Sequence, residues 1–304
     1  MQIELYQVDA FCKELFSGNP AAVCPLASWP ADELMQQIAA ENNLSETAFY
    51  VPEAAHAEGS HAEEGSHAEG GHYHIRWFTP TVEVDLCGHA TLATAHVIFH
   101  HKGFKGDTVR FDSRSGELRV KKAGDLLTLD FPADTITPIP VTDDMYLWFD
   151  KRPEEAYKGK TDYMLVFADE ADIANLQPNL AVIEKHTEAR GVIATAPGNS
   201  AIGDSAPGDS ATGDSATGDS ATKVDAVDFV SRFFGPQSGV PDDPVTGSAH
   251  TTLTPYWSKR LGKKDLTAQQ LSARKGFLQC KDAGNRIEIS GRAKTFLAGS
   301  LHTS

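Results

Sequence analysis

No run in this chain approaches the roughly 20 apolar residues that a membrane-spanning helix needs, so no helical anchor is expected. Basic residues are scarce. The 27 Lys and Arg stand against 42 Asp and Glu, a formal net charge of −15. Such a surface argues against nucleic acid and anionic membranes as partners. Cysteine is scarcer still: Cys12, Cys24, Cys87 and Cys280 form no CxxC pair and no zinc-ligand spacing. They are expected to be reduced, buried small residues, and no metal centre is expected from them. The opening Met1-Gln2-Ile3-Glu4-Leu5 lacks a basic stretch followed by an apolar one. No secretory signal is read there, and a cytoplasmic location is expected.

What is present is 40% hydrophobic and 23% charged residues over 304 positions, enough for two units that each bury a core. Much of the acidity is local. Glu53, Glu58, Glu63, Glu64 and Glu69 lie in one biased segment, and Asp204, Asp209, Asp214 and Asp219 in another. Neither segment holds Lys or Arg, and without them the net charge is −6. The first, 53–72, is a degenerate His-Ala-Glu-Gly-Ser repeat; the second, 199–222, repeats Gly-Asp-Ser-Ala every five residues. With no apolar face, neither can offset its ordering entropy. Both read as loop inserts, the first expanding a hairpin.

Around them the chain alternates. Strands are expected at 3–11, 21–26, 46–51, 74–78, 108–112, 116–122, 126–131, 163–167, 191–195, 224–234, 286–290 and 294–301. Helices are expected from 32 to about 42, and at 91–101, 143–149, 171–176, 180–187 and 251–261. Hairpins packed round one buried helix, twice over, make an α+β arrangement of two similar lobes. The first lobe is expected over 1–118, joined by a closing strand at about 291–304, and the second over 119–290.

Two glycine turns stand out: Cys87-Gly88-His89-Ala90-Thr91 and Asp243-Pro244-Val245-Thr246-Gly247-Ser248-Ala249-His250. Each follows an extended segment and opens a helical run. A helix N-terminus offers unpaired N–H groups and partial positive charge. Two facing each other would grip a small carboxylate from both sides. Glu46 puts a carboxylate at the start of an apolar strand, where it reads either as an edge charge or as a general acid/base in a dry cleft. His89 at a helix start is expected as a neutral ring, because the positive helix end disfavours the imidazolium. Asp243 before Pro244 suits a turn, and Thr246 and Ser248 could cap the following helix.

Together these motifs carry a resemblance. Asp9-Ala10-Phe11 with Phe16-Ser17-Gly18-Asn19-Pro20-Ala21-Ala22-Val23, then Leu44-Ser45-Glu46-Thr47-Ala48-Phe49, Arg76-Trp77-Phe78-Thr79-Pro80 and the two glycine turns, resemble the PhzF-like (phenazine-biosynthesis-like) isomerase family. The resemblance implies the diaminopimelate-epimerase fold: two pseudo-symmetric lobes, each a hairpin-built β-barrel around a central helix. It implies a homodimer and catalysis without metal or cofactor. By motif position Glu46 resembles the proton-shuttling carboxylate, and His89, Asp243 and Ser248 match substrate-contacting and relay positions. The amides of Gly88 to Ala90 and Gly247 to Ala249 would hold the substrate carboxylate. Cys87 resembles the first of two opposed cysteines in racemases of this fold, but the second position, Thr246, carries a hydroxyl that is no base near neutral pH.

The expected function is therefore a cofactor-free isomerase moving a proton on a small carboxylate-bearing substrate. One alternative is an epimerase or racemase using Cys87 as one base. Another is a non-catalytic ligand-binding protein, or a metal-binding one acting through His56, His61, His67, His72 and His74.

Overall fold

A computed structural model describes residues 2–53, 71–199 and 226–303. The first set of elements is β1 (Gln2–Ala10), β2 (Asn19–Pro25), α1 (Asp32–Asn42), β3 (Glu46–Pro52), β4 (His72–Phe78), β5 (Glu83–Val84), α2 (Gly88–His101), β6 (Thr108–Ser113), β7 (Gly116–Ala123) and β8 (Leu126–Pro132). A second set follows: β9 (Thr137–Ile139), α3 (Asp143–Phe149), β10 (Glu155–Lys158), β11 (Asp162–Val166), α4 (Glu170–Asn175), α5 (Leu180–His186), β12 (Gly191–Pro197), β13 (Phe229–Phe234), α6 (Ala249–Leu261), β14 (Asp265–Gln270), β15 (Gly276–Asp282) and β16 (Arg286–Gly291). The last strand, β17 (Ala293–His302), pairs antiparallel with β1.

The two sets repeat one ladder. From β1 to β8, skipping β5, successive pairings run antiparallel, parallel, antiparallel, parallel, antiparallel, antiparallel. From β10 to β16 the same order recurs. Parallel neighbours need a crossover connection. In the first lobe α1 joins β2 to β3, and β5 with α2 joins β4 to β6; in the second, α4 and α5 join β11 to β12, and α6 joins β13 to β14. This is a two-lobe α+β fold. The lobes are sewn together where β8 pairs with β16. Residues 54–70 fall between β3 and β4, and 200–225 between β12 and β13. These are equivalent hairpins of the two lobes. Most of the two expected inserts thus lies outside the described residues, but Glu53 and Asn199 are described, and His72 already belongs to β4.

Each lobe closes around one helix. In α2 every residue from Gly88 to Phe99 is buried. A helix apolar all round has to sit in a core. Its polar threonines are satisfied at once: Thr91 Oγ1 donates to Cys87 O at 2.6 Å and Thr94 Oγ1 to Ala90 O at 2.8 Å. Helix α6 contains Pro255, which has no N–H to give the carbonyl of Thr251. Asp134 N donates to that carbonyl instead, at 3.2 Å. Leu92, Ile98, Leu253 and Trp257 belong to one apolar cluster spanning both lobes. Each such buried side chain contributes about 1.5–3 kcal/mol. Both central helices start earlier than expected, at Gly88 and Ala249 rather than at 91 and 251. Strands β9, β10, β14 and β15 carried no expectation. In β14 the inward positions are Leu266, Ala268 and Gln270, too mixed to show an alternating pattern. No helix among the described residues is long and apolar enough to cross a membrane.

Candidate active site

The two glycine turns meet tip to tip. A Cβ placed on Gly88 would lie 3.6 Å from Gly247 Cα, and one on Gly247 would lie 3.6 Å from Gly88 Cα. Helices α2 and α6 therefore point their N-termini at the same region. The N-cap positions are Cys87 and Ser248, and neither side chain makes a capping hydrogen bond. The capping role open to Ser248 and Thr246 is not taken up. Ser248 Oγ accepts from Arg190 Nη1 at 3.0 Å, and Thr246 Oγ1 donates to Asp243 Oδ2 at 2.5 Å.

Strand β3 brings Glu46 to these tips. Its side chain is 14% exposed, and its Oε2 lies 3.1 Å from Nε2 of His89, itself 5% exposed. The approach is off the axis of a linear hydrogen bond. On its other side, His89 Nδ1 lies 3.2 Å from Asn19 Nδ2 and 3.5 Å from Cys87 Sγ. Nδ1 can thus accept from the amide when the ring is neutral, or donate to sulfur when it is charged. Burial works against the imidazolium, but Cys87 and Glu46 outweigh it and hold the His89 pKa well above its ordinary value. This reverses the expectation of a neutral ring: two neighbouring acids override the helix end. The Cys87 thiol is pushed up, by burial first and then by the Glu46 charge.

Asp243 is buried and has both oxygens engaged. Asn19 Nδ2 donates to Oδ1 at 2.8 Å, and the Thr246 hydroxyl donates to Oδ2. The polarity of this network is fixed from outside. Gln270 Oε1 accepts from Thr246 N at 2.9 Å, so its amide nitrogen faces Thr246 Oγ1 at 3.2 Å and Asp243 O at 2.7 Å. The threonine therefore accepts from Gln270 and gives its own proton to Asp243. Burial raises the Asp243 carboxyl from 3.8 to about 6, with Glu46 adding to the rise and His89 opposing it.

Three residues of this network lay outside the sequence candidates. Asn19 was visible only as part of a turn. It bridges His89, 70 residues away, to Asp243 and the Val245 carbonyl (3.0 Å), 224 and 226 residues away. Its loop is anchored by Arg274, which donates to Gly18 O at 2.9 Å and to the buried Asp9 carboxylate at 2.8 Å. Asp9 also accepts from Phe16 N at 2.8 Å. The turn needs glycine: at Gly18, with φ of 72°, a Cβ would stand 2.2 Å from Ala10 O. Those bonds account physically for Asp9-Ala10-Phe11 and Phe16-Ser17-Gly18-Asn19. Arg190 precedes β12 in no motif at all. Asp162 grips it through two oxygens, and its third nitrogen reaches Ser248. Gln270 ends β14, where its type gave no signal.

The chemistry open to this arrangement is proton transfer beside an anion site. Glu46 and His89 form an acid–base pair, while Arg190 and two helix ends offer positive potential. Carboxylate, thiol and imidazole atoms of Glu46, Cys87 and His89 also lie within 4.8 Å of one another, close enough to hold a divalent ion.

The sequence and the fold have known relatives. The model of the family described as phenazine biosynthesis-like protein matches residues 8–299. An uncharacterized isomerase of Pseudomonas aeruginosa is 45% identical over 302 residues, covering 99% of this chain and 100% of that protein. A crystal structure of a PhzF-family phenazine biosynthesis protein from Enterococcus faecalis covers 100% of both chains at 40% identity, with a TM-score of 0.84. A hydroxyproline epimerase from Agrobacterium vitis, 11% identical with a TM-score of 0.56 over 99% of this chain and 92% of that one, shares the fold alone. Motifs, fold and family match agree, and the chain belongs to the phenazine biosynthesis-like family as one of its isomerases.

Proposed function

We propose that this isomerase moves a proton between two positions of a small carboxylate-bearing substrate, with Glu46 as the acid/base and without a cofactor. The observation that carries the reading is the meeting of Glu46 Oε2 with His89 Nε2 at 3.1 Å beside the opposed tips of α2 and α6. The substrate acid group binds the amides of Gly88 to Ala90 and Gly247 to Ala249, with Ser248 and Arg190 adding side-chain donors. Glu46 takes a proton from one carbon, and the bonding electrons shift into the substrate's conjugated system. Glu46 then returns the proton to a second carbon on the same face. The composition of the substrate is unchanged. His89, held toward its charged form, stabilises the negative charge that develops between the two transfers, and Asp243 supports it by orienting Asn19 against the ring. Homodimerisation is part of the same proposal and rests on the family likeness.

A second reading, epimerisation with Cys87 as one base, is favoured by the 3.5 Å contact of its sulfur with His89. It needs an opposed base, and Thr246 has its hydroxyl proton committed to Asp243. The test of the first reading is Glu46→Gln in deuterated water with candidate amino-acid-like and cyclic acids. Wild type should wash deuterium into substrate, and the variant should do so about 100-fold or more slowly. Equal exchange would remove Glu46 from the mechanism.

A further inference from the structure

A second cluster of ligand-type side chains lies at the far end of the β3–β4 hairpin. Glu46 opens β3 and Glu53 follows its last residue, so the two ends stand about 20 Å apart. In β4, Tyr73, Ile75 and Trp77 point into the core, which turns His72 and His74 outward on one face. The parallel neighbour β6 sets Asp112 beside His74 in register, and β7 sets Glu117 opposite Asp112. Glu53 closes the other side. Its Oε2 contacts His72 Nδ1, and its Oε1 lies 3.9 Å from His74 Nε2. His72 Nε2 lies 3.1 Å from Asp112 Oδ2. Glu53, His74 and Asp112 bring ligand atoms within 4.8 Å of one another, as do His72, Asp112 and Glu117.

We infer that this stem is a binding site for a divalent transition-metal ion, with Glu53, His74 and Asp112 as its ligands and His72 beside them, its ring between the Glu53 and Asp112 carboxylates. Two imidazoles two residues apart on a strand share one side of the sheet, and neighbouring strands, about 4.8 Å away, supply the oxygens. A mixed nitrogen and oxygen set of this kind suits Zn2+, Co2+ or Ni2+ and is wrong for Ca2+ or Mg2+, which take oxygen alone. Glu117, within reach of His72 and Asp112, is already engaged by Arg119 Nε at 2.5 Å. Arg110 is the register partner of His72, but its side chain is exposed. A metal ion takes only neutral imidazole and ionised carboxylate ligands. Affinity must therefore weaken as pH falls. An ion at this point would tie the ends of β3, β4 and β6 together.

The experiment is calorimetric titration of the untagged full chain with Zn2+, paired with Co2+ titration followed by visible absorption. Wild type should bind one equivalent saturably, with a cobalt spectrum of low coordination number. His72→Asn/His74→Asn should weaken binding at least about tenfold, and Asp112→Asn should weaken it measurably, which keeps the question decidable if the double variant does not fold. A chain with His56→Ser, His61→Ser and His67→Ser should keep its affinity within about threefold, as should Cys87→Ser. The assignment fails if wild type shows no saturable binding or if the stem variants bind as wild type does. It fails equally if the triple serine chain loses more than threefold, which would move the ion to the repeat, or if Cys87→Ser does, which would move it to the cleft.

Discussion

The buried Asp243 carboxylate should leave a mark on stability that can be read without knowing the substrate. Its pKa stands at about 6 in the folded chain against 3.8 for the free side chain, chiefly through burial. That gap corresponds to about 3 kcal/mol. The sign follows from proton uptake. Between pH 4 and 6 the native state holds a proton that the unfolded state has released, so this group's contribution is fully present below pH 4 and is lost as pH rises through 6. Asp243→Asn removes the titration. The variant also gives up an acceptor, because an amide can receive from Asn19 or from Thr246 but not from both. That loss costs about 1–3 kcal/mol. At pH 7 the two effects nearly cancel. At pH 4.5 only about 1 kcal/mol of the burial penalty has appeared, so the lost acceptor weighs more and the variant should be the weaker chain by up to about 2 kcal/mol. Urea unfolding at pH 4.5, 5.5, 6.5 and 7.5 measures the difference directly. The stability difference, variant minus wild type, should shift in the variant's favour by about 2 kcal/mol across the series. Parallel curves would show that burial does not penalise this carboxylate, and the electrostatic account of the site would fail.

Gly88→Ala and Gly247→Ala separate folding from function. A Cβ at either position makes an ordinary 3.6 Å contact, so unfolding free energy should stay within about 1 kcal/mol of wild type. The added methyl stands between the two helix tips, so kcat/KM should fall on the order of 100-fold; an unchanged rate would place the substrate elsewhere. Cys87→Ser should leave the isomerisation within about tenfold of wild type, since its thiol is pushed up and has no opposed base. Loss of all turnover in a folded Cys87→Ser chain would favour the epimerase reading instead.

The chain itself disclosed the repeated plan because apolar periodicity is a local property. The strand that begins at Glu46, the apolar run of α2 and the helix Asp143–Phe149 could all be read from spacing. Asp265–Gln270 could not, because its inward residues, Leu266, Ala268 and Gln270, are too mixed in polarity to show an alternating pattern. Glu46, His89 and Asp243 drew attention as unusual residue types at structural punctuation, and the fold brings them together. Asn19, Arg190 and Gln270 escaped because amides and guanidinium groups are common on surfaces. Only a three-dimensional neighbour distinguishes a buried one.

Sequence alone determined the two-lobe plan, the two glycine-led helix starts and the acidic, cysteine-poor character, all of which follow from local patterning and composition. The tertiary structure decided which residues share the cleft. It also decided that His89 is held toward its charged form, that Thr246 gives its proton to Asp243, and that His72 and His74 face Glu53 and Asp112. These depend on strand register and burial, through which residues far apart in the chain set one another's charge.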